Sequence, residues 1–284
     1  GVDIALMLFN PTGTGVVSAT YLGGSAQEQP HSLRVAPNGD LVVMGVSNSL
    51  NFPTTATAYD TSLAHQPAGG SLGGGGVVFQ SPTDVVLVRL NPTGSALQAS
   101  TYYGRFGYDG LQDVSTPHYG DEARGDVWVD SDGIWIATAS RSRGLATWPL
   151  DTSRGGTTDG LLAHFSPDLD TLRWATYVGG PGLDGLTSLI PTPSPSGTRL
   201  AVLGWTSGMG NLSGSGITTV PNGQAEAYYA LFDPSNGQML GQTYLEPQYC
   251  TSYGFLAAQN PAGAYAAVGD SSAVLLSLGL GTLC

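Results

Sequence analysis

Four times along the chain an acidic residue opens an apolar stretch, and a proline follows eight residues later. A Thr-Tyr pair then begins nine residues after each proline. The copies run from Asp3 to Tyr21, Asp84 to Tyr102, Asp159 to Tyr177 and Glu226 to Tyr244, and a fifth starts at Ser272. In the second copy Val85 to Leu90 is interrupted by Asn91-Pro92-Thr93-Gly94, and a further extended run ends on Thr101-Tyr102. Two β-rich runs around a Pro/Gly break read as a hairpin. A recurring hairpin cannot bury its own apolar face, so it must stack on its neighbours.

Between successive copies lies a second hairpin. Ser32 to Val46 turns at Asn38-Gly39 and Gly125 to Thr138 at Asp132-Gly133, both predicted as type I′ turns. Thr187 to Thr206 turns on Pro195-Ser196-Gly197, and Phe255 to Gly269 on Pro261-Ala262-Gly263. Strands such as Leu41-Val42-Val43-Met44 are apolar at every position, the pattern of a strand covered on both faces. Each unit therefore carries four strands, and four-stranded units repeated radially are the blades of a β-propeller. The expected fold is all-β, one propeller domain over residues 1–284. It has four full repeats (about 1–83, 84–158, 159–225 and 226–271) and a partial fifth at 272–284.

Of the ionisable residues, 21 are acids and nine are arginines, with no lysine, for a net charge of −12. Nucleic acid and anionic lipid both select clustered Lys or Arg, so neither is an expected partner. The absence of lysine also removes Schiff-base and phosphate-loop chemistry. No apolar run approaches the roughly 20 residues that cross a bilayer. Gly1 already lies inside a repeat, so a processed product or a segment of a longer chain is expected. Cys250 and Cys284 flank the last repeat and are expected to form a disulfide across the C-terminal end. Free thiols and an intermolecular bridge are the alternatives.

Tyr21-Leu22-Gly23-Gly24-Ser25, Asn10-Pro11-Thr12-Gly13, Ala36-Pro37-Asn38-Gly39 and Asn51-Phe52-Pro53-Thr54-Thr55 resemble the bacterial SBBP repeat, named for seven-bladed β-propellers. Thr176-Tyr177-Val178-Gly179-Gly180 and Gly120-Asp121-Glu122 resemble weaker versions of it. The resemblance implies a propeller on a secreted or surface-displayed protein, and it brings no catalytic residues. Four full repeats and a fragment depart from a seven-blade count.

Chemical motifs are few. Gly69-Gly70-Ser71-Leu72-Gly73 matches the hydrolase elbow, but it lacks the strand before and the helix after that the elbow requires. Gly180-Pro181-Gly182-Leu183-Asp184-Gly185 matches a dinucleotide loop with no helix to follow, so it reads as a turn. Asp130-Ser131-Asp132-Gly133 resembles the opening of a calcium loop, yet it sits where a hairpin turn belongs. His31, His65, His118 and His164 have no metal spacing, and no metal or cofactor is expected.

One stretch stands apart. Arg105 to Glu122, an inserted connector, concentrates Phe106, Tyr108, Asp109, Asp113, His118, Tyr119, Asp121 and Glu122. Aromatic faces beside carboxylates suit a glycan-binding loop, and loops on rigid scaffolds often carry function. An inert surface loop is the preferred reading of the same residues.

The expected function is therefore a non-enzymatic, extracellular structural or adhesive module. A carbohydrate-binding module using the 105–122 loop is the alternative, with a polysaccharide-acting enzyme behind it. Chain order leaves Asp3 to Tyr21 without an inner hairpin and the last unit without a fourth strand. Docking of the N-terminal hairpin on the last unit is expected to close the ring. The competing expectation is donation of that hairpin to another copy, which builds rings or filaments.

Overall fold

The computed structural model describes residues 1–64, 71–72, 77–112, 124–147, 150–195, 197–210, 212, 219–221 and 226–245. Beyond them it describes the backbone of three strands within 253–277. Among the described residues every regular element is a strand. The first sheet is a hairpin, β1 (Ile4–Phe9) and β2 (Val16–Leu22). The second contains β3 (Glu28–Val35), β4 (Leu41–Ser47), β5 (Asp84–Leu90) and β6 (Leu97–Tyr103). The third contains β7 (Asp126–Val129), β8 (Ile134–Ser140), β9 (Asp159–Phe165) and β10 (Leu172–Val178). The fourth contains β11 (Asp184–Ser194), β12 (Gly197–Thr206), β13 (Glu226–Phe232) and β14 (Met239–Tyr244). The fifth is β15 (Tyr253–Gln259), β16 (Tyr265–Asp270) and β17 (Leu276–Ser277). Within each sheet the strands pair antiparallel in chain order, so the recurring hairpins β5–β6, β9–β10 and β13–β14 each join the inner hairpin that precedes them.

The turns follow local chemistry. Asn10, Asn91 and Ser166 each cap a turn whose third residue, Gly13, Gly94 or Leu169, donates its amide back to the capping carbonyl. A bulge follows in all four copies, at Leu8/Phe9, Arg89/Leu90, Leu172/Trp174 and Leu231/Phe232. The inner turns are not type I′. At Ala36-Pro37-Asn38-Gly39 only Gly39 has positive φ, at 89°. Proline holds φ near −65°, so Pro37 forces a type I turn with glycine in the left-handed position. Asp130 likewise accepts from the amides of Asp132 and Gly133, a turn and not the start of a cation loop.

Alternation explains why the strands are apolar throughout. Val42, Met44, Val85 and Leu87 pack against Val127, Ile134, Leu161 and Phe165 of the third sheet. Leu41, Val43, Val86 and Val88 face the other way, onto Ile4 and Leu22 of the first sheet. Leu162, Trp135 and Trp174 then pack on Leu186, Val202 and Tyr228 of the fourth. Successive side chains point to opposite faces, so a strand buried on both sides reads as one apolar run. Asp126 ties three sheets together. Its carboxylate takes both hydrogen bonds from Arg34 of β3 (2.8 and 3.0 Å) and the Leu189 amide of β11 (3.1 Å).

Among the described residues the first hairpin stands as a two-stranded sheet, packed through Ile4, Leu6 and Leu22 on the second sheet and paired with no strand of the fifth. Its recurring tyrosine shows what is missing. Tyr102 Oη donates to the Ser49 carbonyl (2.6 Å) and accepts from the Phe52 amide (2.9 Å). Tyr177 does the same with Ser142 (2.8 Å) and Leu145 (3.1 Å). Both therefore pin the connector that leaves their own inner hairpin. Tyr21, with no inner hairpin beside it, is 73% exposed.

Removing the Tyr177 hydroxyl leaves two buried connector groups unpaired, which costs about 1–3 kcal/mol. Tyr177→Phe should thus lower stability in urea titrations by that amount, while Tyr21→Phe should leave it within about 0.5 kcal/mol. Equal effects at the two sites would refute the pin.

Candidate functional site

All connectors leave and enter the sheets at one end, and the tight turns lie at the other. At the connector end the first strand of each complete sheet is preceded or opened by a buried acid. Glu28 accepts from the Ser47 and Ser49 hydroxyls (2.6 and 2.5 Å) and the Gly24 amide (3.1 Å). Asp109 accepts from the Ser140 and Ser142 hydroxyls (2.5 and 2.6 Å) and the Arg105 amide (2.8 Å). Asp184 accepts from the Gly180 amide (2.8 Å) and the Thr206 side chain. The amide donor lies four residues before the acid each time.

A second acid meets each of these from the sheet before. Measured from where a Cβ on Gly23 would lie, Asp3 Oδ1 is 2.4 Å away and Glu28 Oε2 2.8 Å. From the same point on Gly179, Asp184 Oδ2 is 2.6 Å and Asp159 Oδ2 3.1 Å away. On Gly104, Asp84 Oδ1 is 2.1 Å away. A side chain at any of the three would collide with a carboxylate, so the space is held by glycine. The spacing was in the sequence but unread: Asp3 and Glu28, Asp84 and Asp109, and Asp159 and Asp184 are all 25 residues apart.

Electrostatics sets the state of these pairs. Asp84 accepts from the Ala64 amide (3.0 Å), but its Oδ1 is buried with no hydrogen-bond partner. Burial first, and the charge of Asp109 second, push it up to about 8. Burial first, with the charge of Asp159 adding to it, raises Asp184 to about 6 against the hydrogen bonds from Thr206 and the Gly180 amide, which lower it. Two like charges in one dry junction cannot both ionise cheaply, so Asp84 keeps its proton up to about pH 8. The arrangement holds sheets together, and among the described residues no three Asp, Glu, His or Cys side chains are grouped to hold a metal ion.

The residues predicted for the 105–122 loop divide. Phe106 is exposed, Tyr108 is buried under the Arg141 guanidinium (5.7 Å), and Asp109 is the buried acid just described. Arg105 to Asp109 is thus the ordinary entry to a sheet, equivalent to Gly24 to Glu28, and the extra residues come after it. Asp113, His118, Tyr119, Asp121 and Glu122 lie outside the described residues, as do Cys250, Cys284 and His65. Gly69, Gly70 and Gly73 of the elbow-like motif also lie outside them. Gly180 to Gly185 is the entry loop of β11. His164 stacks on Trp135 (4.0 Å between ring centroids), and burial lowers it to about 4 and His31 to about 3.

A cleft of about 510 Å³ opens between the third and fourth sheets, lined by Leu150, Tyr177, Val178, Tyr228, Phe232 and Met239 among others. No motif pointed to it. Its one sequence signal is an Asp-Thr-Ser shared by two connectors otherwise unlike each other, at Asp60 to Ser62 and Asp151 to Ser153.

No family model and no curated protein matches the chain.

Asp84 and Asp184 bind their protons more tightly folded than unfolded. The stability they contribute is complete below the ordinary carboxylate value of 3.8 and is lost as pH rises through about 6 for Asp184 and about 8 for Asp84. The histidines act oppositely, their contribution being complete above 6.5 and lost towards about 4 and 3. Above 6.5 the slope is therefore dominated by Asp84. The melting temperature should fall between pH 6.5 and 8.5, and Asp84→Asn should flatten that fall. Identical slopes in the two proteins would exclude the shared-proton junction.

Proposed function

We propose that the chain is a non-enzymatic β-propeller module of the SBBP kind, extracellular, whose first hairpin joins the fifth sheet of another copy. The observation that carries this reading is an uncovered sheet. One face of β1–β2 is packed on the second sheet, while the other presents Met7, Phe9, Val16 and Tyr21 to solvent. The second and third sheets, by contrast, have a neighbouring sheet against both faces.

Strand order supports a second copy as the occupant. In complete sheets the acid-led strand pairs with the second inner strand, as β5 does with β4, β9 with β8 and β13 with β12. β1 is the acid-led strand of its copy and pairs with β2. In the fifth sheet the corresponding place beside β16 is held by β17, two residues long. A short strand is weakly held, and an open edge invites pairing with a further strand. Replacement of β17 by β1–β2 beside β16 gives four strands and covers the apolar face. The contact is head-to-tail, so it builds a ring or a filament.

Light scattering at about 100 μM, where a micromolar contact is saturated, should show multiples of the 29.1 kDa chain. Met7→Glu with Phe9→Glu alters exposed side chains and should give a folded monomer. A wild-type monomer at that concentration, or unchanged assembly of the double variant, would rule the reading out.

A further inference from the structure

The junctions between the second and third and between the third and fourth sheets are built on one plan and differ in side chains at two places. Between the second and third sheets the Asp60 segment crosses the end of β6, with its carbonyl accepting the Tyr102 amide (3.0 Å). The Ser62 amide and hydroxyl fold back on its carboxylate, both at 2.9 Å. Between the third and fourth sheets Asp151 repeats this, accepting the Tyr177 amide at 3.0 Å and the Ser153 amide and hydroxyl at 2.9 Å. The residue before the aspartate is Tyr59 in one case and Leu150 in the other.

The rings around that position differ as well. Tyr59 lies edge-on to Phe165 and Tyr103, with centroids 5.7 and 6.1 Å away, and those two rings are 5.0 Å apart. By the repeat spacing of 75 and 67 residues, Tyr103 corresponds to Val178 and Phe165 to Phe232. Two of the three rings are thus replaced by aliphatic side chains, and the cleft of about 510 Å³ lies against those same residues.

We propose that this cleft binds a small, neutral phenolic molecule, its ring taking the place that the Tyr59 ring holds in the sister junction. In the sister junction the Tyr59 side chain, 44% exposed, lays its ring against Phe165, the counterpart of Phe232. The walls add Met209 and Met239, whose thioethers favour aromatic rings. Asp151 and Gln238 at the lining meet a hydroxyl, and the Asp151 carboxylate disfavours an anionic ring. The site is independent of the assembly proposed above.

The chain has four methionines, Met7, Met44, Met209 and Met239, so methyl-labelled protein gives its own controls. Titration with p-cresol should shift the Met209 and Met239 methyl signals saturably and leave Met7 on the first hairpin and the buried Met44 unmoved. The anion 4-methylbenzoate should bind at least about tenfold more weakly. Leu150→Tyr combined with Val178→Tyr rebuilds the filled junction, and where it folds it should weaken p-cresol binding at least about tenfold. No saturable shift in the wild type, shifts that include Met7 equally, or 4-methylbenzoate bound as tightly as p-cresol would each overturn the proposal.

Discussion

A buried carboxylate that receives one amide from the loop before it and one hydroxyl from the end of the second strand sets the geometry at each sheet entry. An isolated charge in that position would cost several kcal/mol. Glu28 and Asp109 meet this cost with at least three hydrogen bonds each, which fixes the loop, the strand start and the neighbouring strand end together. Much else in the repeat follows. Ser47, Ser140 and Thr206 are needed as donors, and Gly23, Gly104 and Gly179 are needed because the second acid occupies their side-chain space. The charge inventory also reads differently. Glu28, Asp84, Asp109, Asp126, Asp159, Asp184 and Glu226 are all buried, so the formal −12 overstates what the surface presents to a partner.

Much of the architecture was legible because strands report it directly. Two-residue alternation, the Pro/Gly breaks and the recurrence of acid, proline and Thr-Tyr placed nearly every strand, including the joining of each recurring hairpin to the one before it. Turn type was misread at Asn38-Gly39 because the dipeptide was taken without Pro37, whose ring forbids the backbone that a type I′ turn requires. How the ring closes was not legible, for a different reason. Strand counting says which partners are missing, but which face a lone hairpin packs on is decided by Ile4 and Leu22 finding Leu41 and Val43.

The candidate site was less legible, since its chemistry lies in spacing and not in residue type. Asp109 was noticed as part of an acidic, aromatic loop, where its neighbours suggested ligand binding. The constant 25-residue interval from the acid before it marks it instead as the partner of Asp84. Likewise Asp-Thr-Ser is too short to notice inside connectors of unequal length, yet it places Asp60 and Asp151 identically against the recurring tyrosine.

Departures from the repeat show how a junction is opened or shut. Leu169 holds φ at 55°, a position filled by Gly13 and Gly94 in the earlier copies. A left-handed leucine costs about 1–2 kcal/mol, and full burial of its side chain between the second and third sheets offsets this by about 1.5–3 kcal/mol. Its carbonyl then accepts the Tyr59 amide (2.8 Å), and the ring of Tyr59 lies edge-on to Phe165. In the next copy the left-handed residue is Gly237, where a Cβ would come within 2.6 Å of Trp174 and 2.7 Å of Leu150. Nothing there reaches out to hold the connector residue, and the Leu150 amide turns back to the Thr147 carbonyl (3.1 Å). Strain accepted at one turn thus closes its junction, while an unstrained glycine at the corresponding turn leaves the next one open.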